Sequence, residues 1–359
     1  MIKLYFEAIA MVDDIYAVAV RYESNGLFKV NIQTGECSYQ GVIPNEKIAQ
    51  RRLYTTAVKN GNKIYFIPAA AKEIAIYNII TQEIYKIPYK KIEEDVKGYK
   101  CNSNFNGYAV YGKYIFMIPC TYPKIVRIDT ETDDISYYDD WNSGKQFSFR
   151  KSIEIDKNFF YAPSAVNGYV LEFDMEKCKG RLRSVGQGNQ GSWGICKAKG
   201  FFWLSPQWKG PIIKWNVETG DIYEIEGYPE EFKGDRLNFT KVYECKGWVY
   251  LVPGLANMGI MVSPEQNVIR KTDIPELQNV KETLLMFEMN NNLYLKVTND
   301  DGVKDIVLDM RDNTVTSFSF YLTKGEEKFK KDYSNGMHKE TGKMKEDMGW
   351  NLKDFLQYI

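Results

Sequence analysis

Histidine is almost missing from this chain: among 359 residues only His338, near the C-terminus, carries an imidazole. That removes His-based catalytic triads, Cys–His dyads outside the tail, and zinc or copper sites needing several imidazoles. The six cysteines (37, 101, 120, 178, 196, 245) form no C-x-x-C pair and read as reduced thiols. No apolar run approaches the length of a membrane span. The start, Met1 to Glu7 followed by Asp13-Asp14, lacks the basic and apolar regions of a secretory signal, so a cytoplasmic protein is expected. Charge of one sign is not in excess, with 47 basic and 47 acidic residues, which argues against a nucleic-acid partner. The glycine-rich stretch Gly186 to Trp193 has no Gly-Lys-Ser/Thr and is no P-loop. It reads as an interblade turn or a binding loop. No calcium loop is complete, Asn299 to Gly302 being only a fragment. No metal or cofactor is expected.

What is abundant is aromatic: 26 Tyr, 19 Phe and 7 Trp, side chains that suit half-buried strands. These residues fall into a repeat. Leu27 to Glu36, Ile74 to Glu83, Ile125 to Asp134 and Ile212 to Asp221 align on a strand followed by Asn or Asp and then Thr. Weaker copies centre on Asp174, Ser263 and Asp309. The anchors Asn31, Asn78, Asp129, Asp174, Asn216, Ser263 and Asp309 are spaced 47, 51, 45, 42, 47 and 46 apart, within the about 40–50 residues of a propeller blade. An Asn, Asp or Ser there accepts a hydrogen bond from the backbone two residues on and closes a turn. Gly35 and Gly220 supply positive φ.

Upstream, a strand ends at Pro68, Pro119, Pro163, Pro206 and Pro253, where a missing donor stops the ladder. An aromatic 13 or 14 residues earlier (Phe6, Tyr54, Phe105, Phe149, Trp193, Phe239) opens another strand. One module therefore reads as strand A (54–58), strand B (63–67), strand C (74–77) and strand D (83–87), a four-stranded antiparallel meander. The fold class is all-β: a seven-bladed β-propeller over residues 1–322, with six or eight blades if an end module is degenerate. Residues 323–359 read as a charged linker and a short amphipathic C-terminal helix on Leu352, Phe355, Leu356 and Ile359, either closing the propeller or docking a partner.

On these modules the chain resembles bacterial kelch-like and YncE-like β-propeller proteins at superfamily level. It departs from the kelch and WD40 repeats in lacking the Gly-Gly doublet and the Trp-Asp pair. The resemblance implies that ligands meet the face shared by the B–C and D–A loops. Three positions before the recurring aromatic stand Arg51, Asn102, Gln146, Gln190 and Arg236. As a ring these donors suit an anionic or hydroxyl-rich ligand; as solvated loop residues they do nothing. The aromatics are interblade core or, with Trp193 foremost, a stacking platform. Trp141, Trp208, Tyr122 and Tyr228 are candidates for exposure on loops. Cys120 lies on the same face, with Lys124 as its one nearby cation. No catalytic set emerges. The expected function is a non-catalytic binding or scaffold propeller for a protein or a glycan, acting as a monomer. The alternative is a hydrolase or lyase on carbohydrate or an anionic small molecule, using channel-mouth carboxylates with Arg51 and Arg236.

Overall fold

The computed structural model describes residues 2–338 except 23, 49, 51, 91–102, 143, 145, 146 and 187–190. Its sheets are seven blades of a β-propeller, six with four antiparallel strands and one extended to six. The chain divides into two compact units, residues 1–95 with 318–359, and residues 96–317.

The first unit holds blades 1 (6–42) and 2 (54–88). Strand A of blade 1, Phe6–Met11, packs against strand A of blade 2, Tyr54–Asn60. Between these blades Ala8, Val18, Leu27, Ile64, Phe66 and Ala75 form one buried cluster. Outside strand D of blade 1, Glu36–Val42, a closing strand Phe320–Lys324 runs parallel to it, and Ile2–Leu4 pairs antiparallel beyond. The amide of Tyr321 donates to the Gly35 carbonyl (2.9 Å). Gly35 has φ +76°, and a Cβ there would collide with the Ser319 carbonyl, so two demands fix glycine. Helix α1 (Glu326–His338) follows, with Glu326 and Glu327 in its first turn, where acids oppose the helix dipole. The boundary expected at 322 therefore falls inside the closing strand, and residues 326–338 are helix where a charged linker was expected. The helix expected near 352–359 lies outside the described residues.

The second unit holds blades 3 (105–138), 4 (154–184), 5 (192–225), 6 (239–271) and 7 (280–317). The A strands of blades 5 and 6 lie against each other, and paired clusters fill the space between blades. Phe6, Tyr54, Phe105, Phe149 and Phe239 are fully buried, which makes them interblade core.

The repeat has a physical basis in every blade. Asn31, Asn78, Asp129, Asp174, Asn216 and Asp309 each accept from the backbone N–H two residues on, at 2.9–3.0 Å. Ser263 accepts from Gln266 N–H at 3.2 Å. Thr34, Thr81, Thr132 and Thr219 add a second such bond. Four residues past each anchor the backbone is left-handed: Gly35, Gln82, Asp133, Cys178, Gly220, Asn267 and Asn313. Only two of these are glycine. The expected consequence in blade 2 is opposite in sign at neighbouring positions. Asn78→Ala loses two turn bonds and about 1–2 kcal/mol of stability. Gln82→Gly relieves an αL side chain and gains up to about 1 kcal/mol. Urea midpoints of the two variants check both.

Candidate functional site

Strand A of six blades begins with a recurrent irregularity. Phe6, Tyr54, Phe105, Ser192, Phe239 and Val280 pair with the last residue of strand B or its equivalent, and the register then slips by one residue. This β-bulge re-aims the next side chain. The bulged residues are Glu7, Thr55, Asn106, Trp193, Thr240 and Lys281. In blade 4, Phe149 bridges Ser164, and Arg150 is the next residue in sequence. Trp193 is thus not a member of the buried aromatic set: Ser192 holds that position, and Trp193 occupies the bulge, half-buried.

Arg150 and Trp193 meet, with the guanidinium carbon 4.5 Å from the ring centroid. A guanidinium held flat on an indole is oriented without being discharged. Its Nη1 reaches the Cys120 thiol at 3.9 Å, and that sulfur lies 3.4 Å from Ser148 Oγ. Arg150 Nε is buried without a hydrogen-bond partner, and no carboxylate stands within ion-pair distance of this arginine among the described residues. In blade 3, Ser103 Oγ lies 2.9 Å from the Phe105 carbonyl oxygen and 2.8 Å from the amide of the bulged Asn106.

A second feature is the rim of blades 5 and 6. The B–C loop of blade 5 and the D–A loop that follows it form a short ladder. Leu237 N–H donates to the Gln207 carbonyl (2.6 Å) and Lys209 N–H to the Asp235 carbonyl (2.8 Å), with Trp208 opposite Arg236. The D–A loop is pinned on three sides. Tyr228 hydroxyl donates to the Gly210 carbonyl (2.9 Å), Tyr228 stacks on Phe232 at 4.5 Å, and Asn257 Oδ1 accepts from Lys233 N–H (2.7 Å). Leu255 N–H then donates to the Leu237 carbonyl from the B–C loop of blade 6 (2.9 Å). On this braced backbone Trp208 is 47% and Leu255 39% exposed, with Arg236 exposed beside them. Gln207 Oε1 and Asn238 Oδ1, just below, are buried without partners.

Of the five-member polar slot, Arg51, Asn102, Gln146 and Gln190 lie outside the described residues, and Arg236 is on the rim. Of the four loop aromatics, only Trp208 is exposed. Trp141 and Tyr122 are buried and Tyr228 is half-buried, because each packs or hydrogen-bonds into its loop. Gly191 approaches the Ala165 carbonyl so closely that a Cβ would overlap it, which makes this end of the glycine-rich loop an interblade contact. Lys124 pairs with Asp139 at 2.6 Å instead of serving Cys120. No cluster of three or more His, Cys, Asp or Glu is placed to hold a metal among the described residues. Sequence reasoning missed Arg150. The available signal was the polar residue one step after each aromatic: Glu7, Thr55, Asn106, Arg150 and Thr240.

Neither a family model nor a curated protein matches the chain. Its fold does match solved structures of bacterial propellers. Virginiamycin B lyase from Staphylococcus aureus is similar at 15% identity over 82% of this chain and 91% of that one, with a TM-score of 0.56. BamB from Moraxella catarrhalis aligns at 14% identity over 86% and 83%, with a TM-score of 0.53. The extracellular domain of the putative one-component system BT4673 from B. thetaiotaomicron aligns at 12% over 84% of this chain and 38% of that one, with a TM-score of 0.54. These likenesses show the β-propeller fold, a coarser level than the kelch-like or YncE-like grouping.

Proposed function

We propose that this chain is a binding propeller that engages a protein partner through the B–C/D–A face of blades 5 and 6. The observation that carries the reading is the braced rim of Trp208, Arg236 and Leu255. Trp and Arg are the residue types that dominate binding energy at protein interfaces, and a backbone tied down in advance lowers the ordering cost of association. A glycan partner would use the same Trp208 for stacking. A histidine-dependent lyase chemistry has no support in the blades, since the chain's one histidine sits in α1; one neighbouring lyase structure is a catalytically inactive histidine-to-alanine variant holding quinupristin.

A photo-crosslinking amino acid at position 208 is expected to give a discrete protein adduct, whereas the same probe at Glu218, on the exposed C–D turn at the other end of blade 5, gives none. Arg236→Ala is expected to weaken the captured partner's affinity by about 30-fold, equivalent to roughly 2 kcal/mol. Equal crosslinking from both positions would remove the proposal. Binding to a glycan array that is lost in Trp208→Ala would transfer the face to a carbohydrate ligand.

A further inference from the structure

We infer that Arg150, beside the bulges of blades 3 and 5, anchors an oxyanion-binding site. The inference rests on the reading of the B–C/D–A face as the binding face and names the ligand chemistry at a second place on it. Three observations converge. Arg150 carries a full positive charge that no carboxylate answers among the described residues, and its Nε–H is buried without an acceptor. A buried donor left unpaired costs about 1–3 kcal/mol, so an acceptor that arrives there recovers that cost.

Geometry gives the second. Nη1 is turned to the Cys120 thiol, at 3.9 Å, a weak acceptor. That leaves the Nε–Nη2 edge, two parallel N–H groups on one side of the fork, which matches two oxygens of a carboxylate or phosphate. Trp193 lies against the guanidinium face at 4.5 Å and fixes its plane.

The third is the sign of the surroundings. The bulge slots of blades 3, 5 and 6 read Asn106, Trp193 and Thr240, and Arg150 follows Phe149 in blade 4, with no acid among the four. Strand A of blade 3 runs past Arg150, a Cβ on Gly107 lying 3.5 Å from the Arg150 carbonyl oxygen. A guanidinium with no carboxylate among these neighbours selects a ligand group that only accepts, an oxyanion.

The test uses the full chain labelled with nitrogen-15, with the Arg150 Nε–H resonance assigned by its disappearance in Arg150→Lys. Sodium acetate and inorganic phosphate are titrated separately at constant ionic strength set with sodium chloride. A saturable downfield shift of that one arginine resonance is expected with at least one of the two anions. Acetate alone assigns the site to carboxylate ligands, phosphate alone to phosphoryl ligands, and both to oxyanions in general. Trp193→Leu is expected to weaken the titration about tenfold, since the fork loses its orienting face. A resonance that moves only in proportion to added salt, with chloride doing as much as either anion, would overturn the inference. Crosslinking from position 208 reads the partner face independently of this site, so either proposal can fail while the other stands.

Discussion

Replacing Phe329 with alanine is expected to lower the unfolding free energy by about 3–5 kcal/mol, the cost of emptying a fully buried aromatic site. Phe329 is the residue of α1 that enters the core. Its ring lies 5.2 Å from Tyr39 and 5.7 Å from Phe28, with the Arg21 guanidinium 5.4 Å above it. Around it, polar bonds add to the contact among the described residues. Tyr39 hydroxyl donates to Asp332 at 3.0 Å and Lys328 Nζ to the Gln40 carbonyl at 2.9 Å. Most of the docking energy therefore sits in one side chain. Urea midpoints of wild type, Phe329→Leu and Phe329→Ala should fall in that order. A shift under about 1 kcal/mol for the alanine variant would show that α1 is dispensable to the fold.

The second large effect is one of pH. Glu154 stands on strand A of blade 4, and burial pushes its carboxyl up from 4.5 to about 7. Lys241 and Lys197 pull against that rise, and Asp156 and Glu288 add to it. Lys241 is already engaged with Glu288 at 2.6 Å, and Lys197 with Asp156 at 2.7 Å, so neither cation is free to neutralise Glu154. Below pH 4.5 the carboxyl is protonated in both folded and unfolded chains, and it costs nothing. Between 4.5 and 7 the unfolded chain releases the proton and the folded chain keeps it, so stability falls as pH rises. Above 7 the loss is complete, about 3 kcal/mol. Glu154→Gln removes the ionisation. The variant is expected to match wild type at pH 4 and to exceed it by about 3 kcal/mol at pH 8, read from urea unfolding at each pH. Parallel pH profiles for the two proteins would refute the assignment.

What could be read from the sequence was what depends on near neighbours. An Asn or Asp two residues from the amide it accepts, or a proline at the end of a strand, acts within a few positions. Asn78 and Pro68 accordingly announce a turn and a strand end in any window that contains them. The closing strand was not readable in this way. Phe320–Lys324 finds its partner in Glu36–Val42, and nothing local in either segment specifies a parallel pairing across nearly the whole chain. Helix α1 was obscured for a related reason. Its lysines and glutamates look like solvated linker, and Phe329, deeply buried, gains meaning only from Phe28 and Tyr39. The bulge had a subtler effect on the site. It shifts the count by one residue in blade 5, so that Trp193 aligns by residue type with Phe105 and Phe239 but by position with Asn106 and Thr240. Arg150 was passed over as the residue after the counted aromatic, Phe149.

Each blade is drawn from one contiguous stretch, and Ile2–Leu4 and Phe320–Lys324 pair as extra strands on the outer margin of blade 1. Here the seam lies beside a complete blade and not inside one. A circularly permuted chain that opens at Glu230, on the exposed loop between blades 5 and 6, and joins the original ends through a linker would cut no hairpin within a sheet. The order of the blades is in this sense a convention of the gene, and the margin of blade 1 is where that convention is written into the molecule.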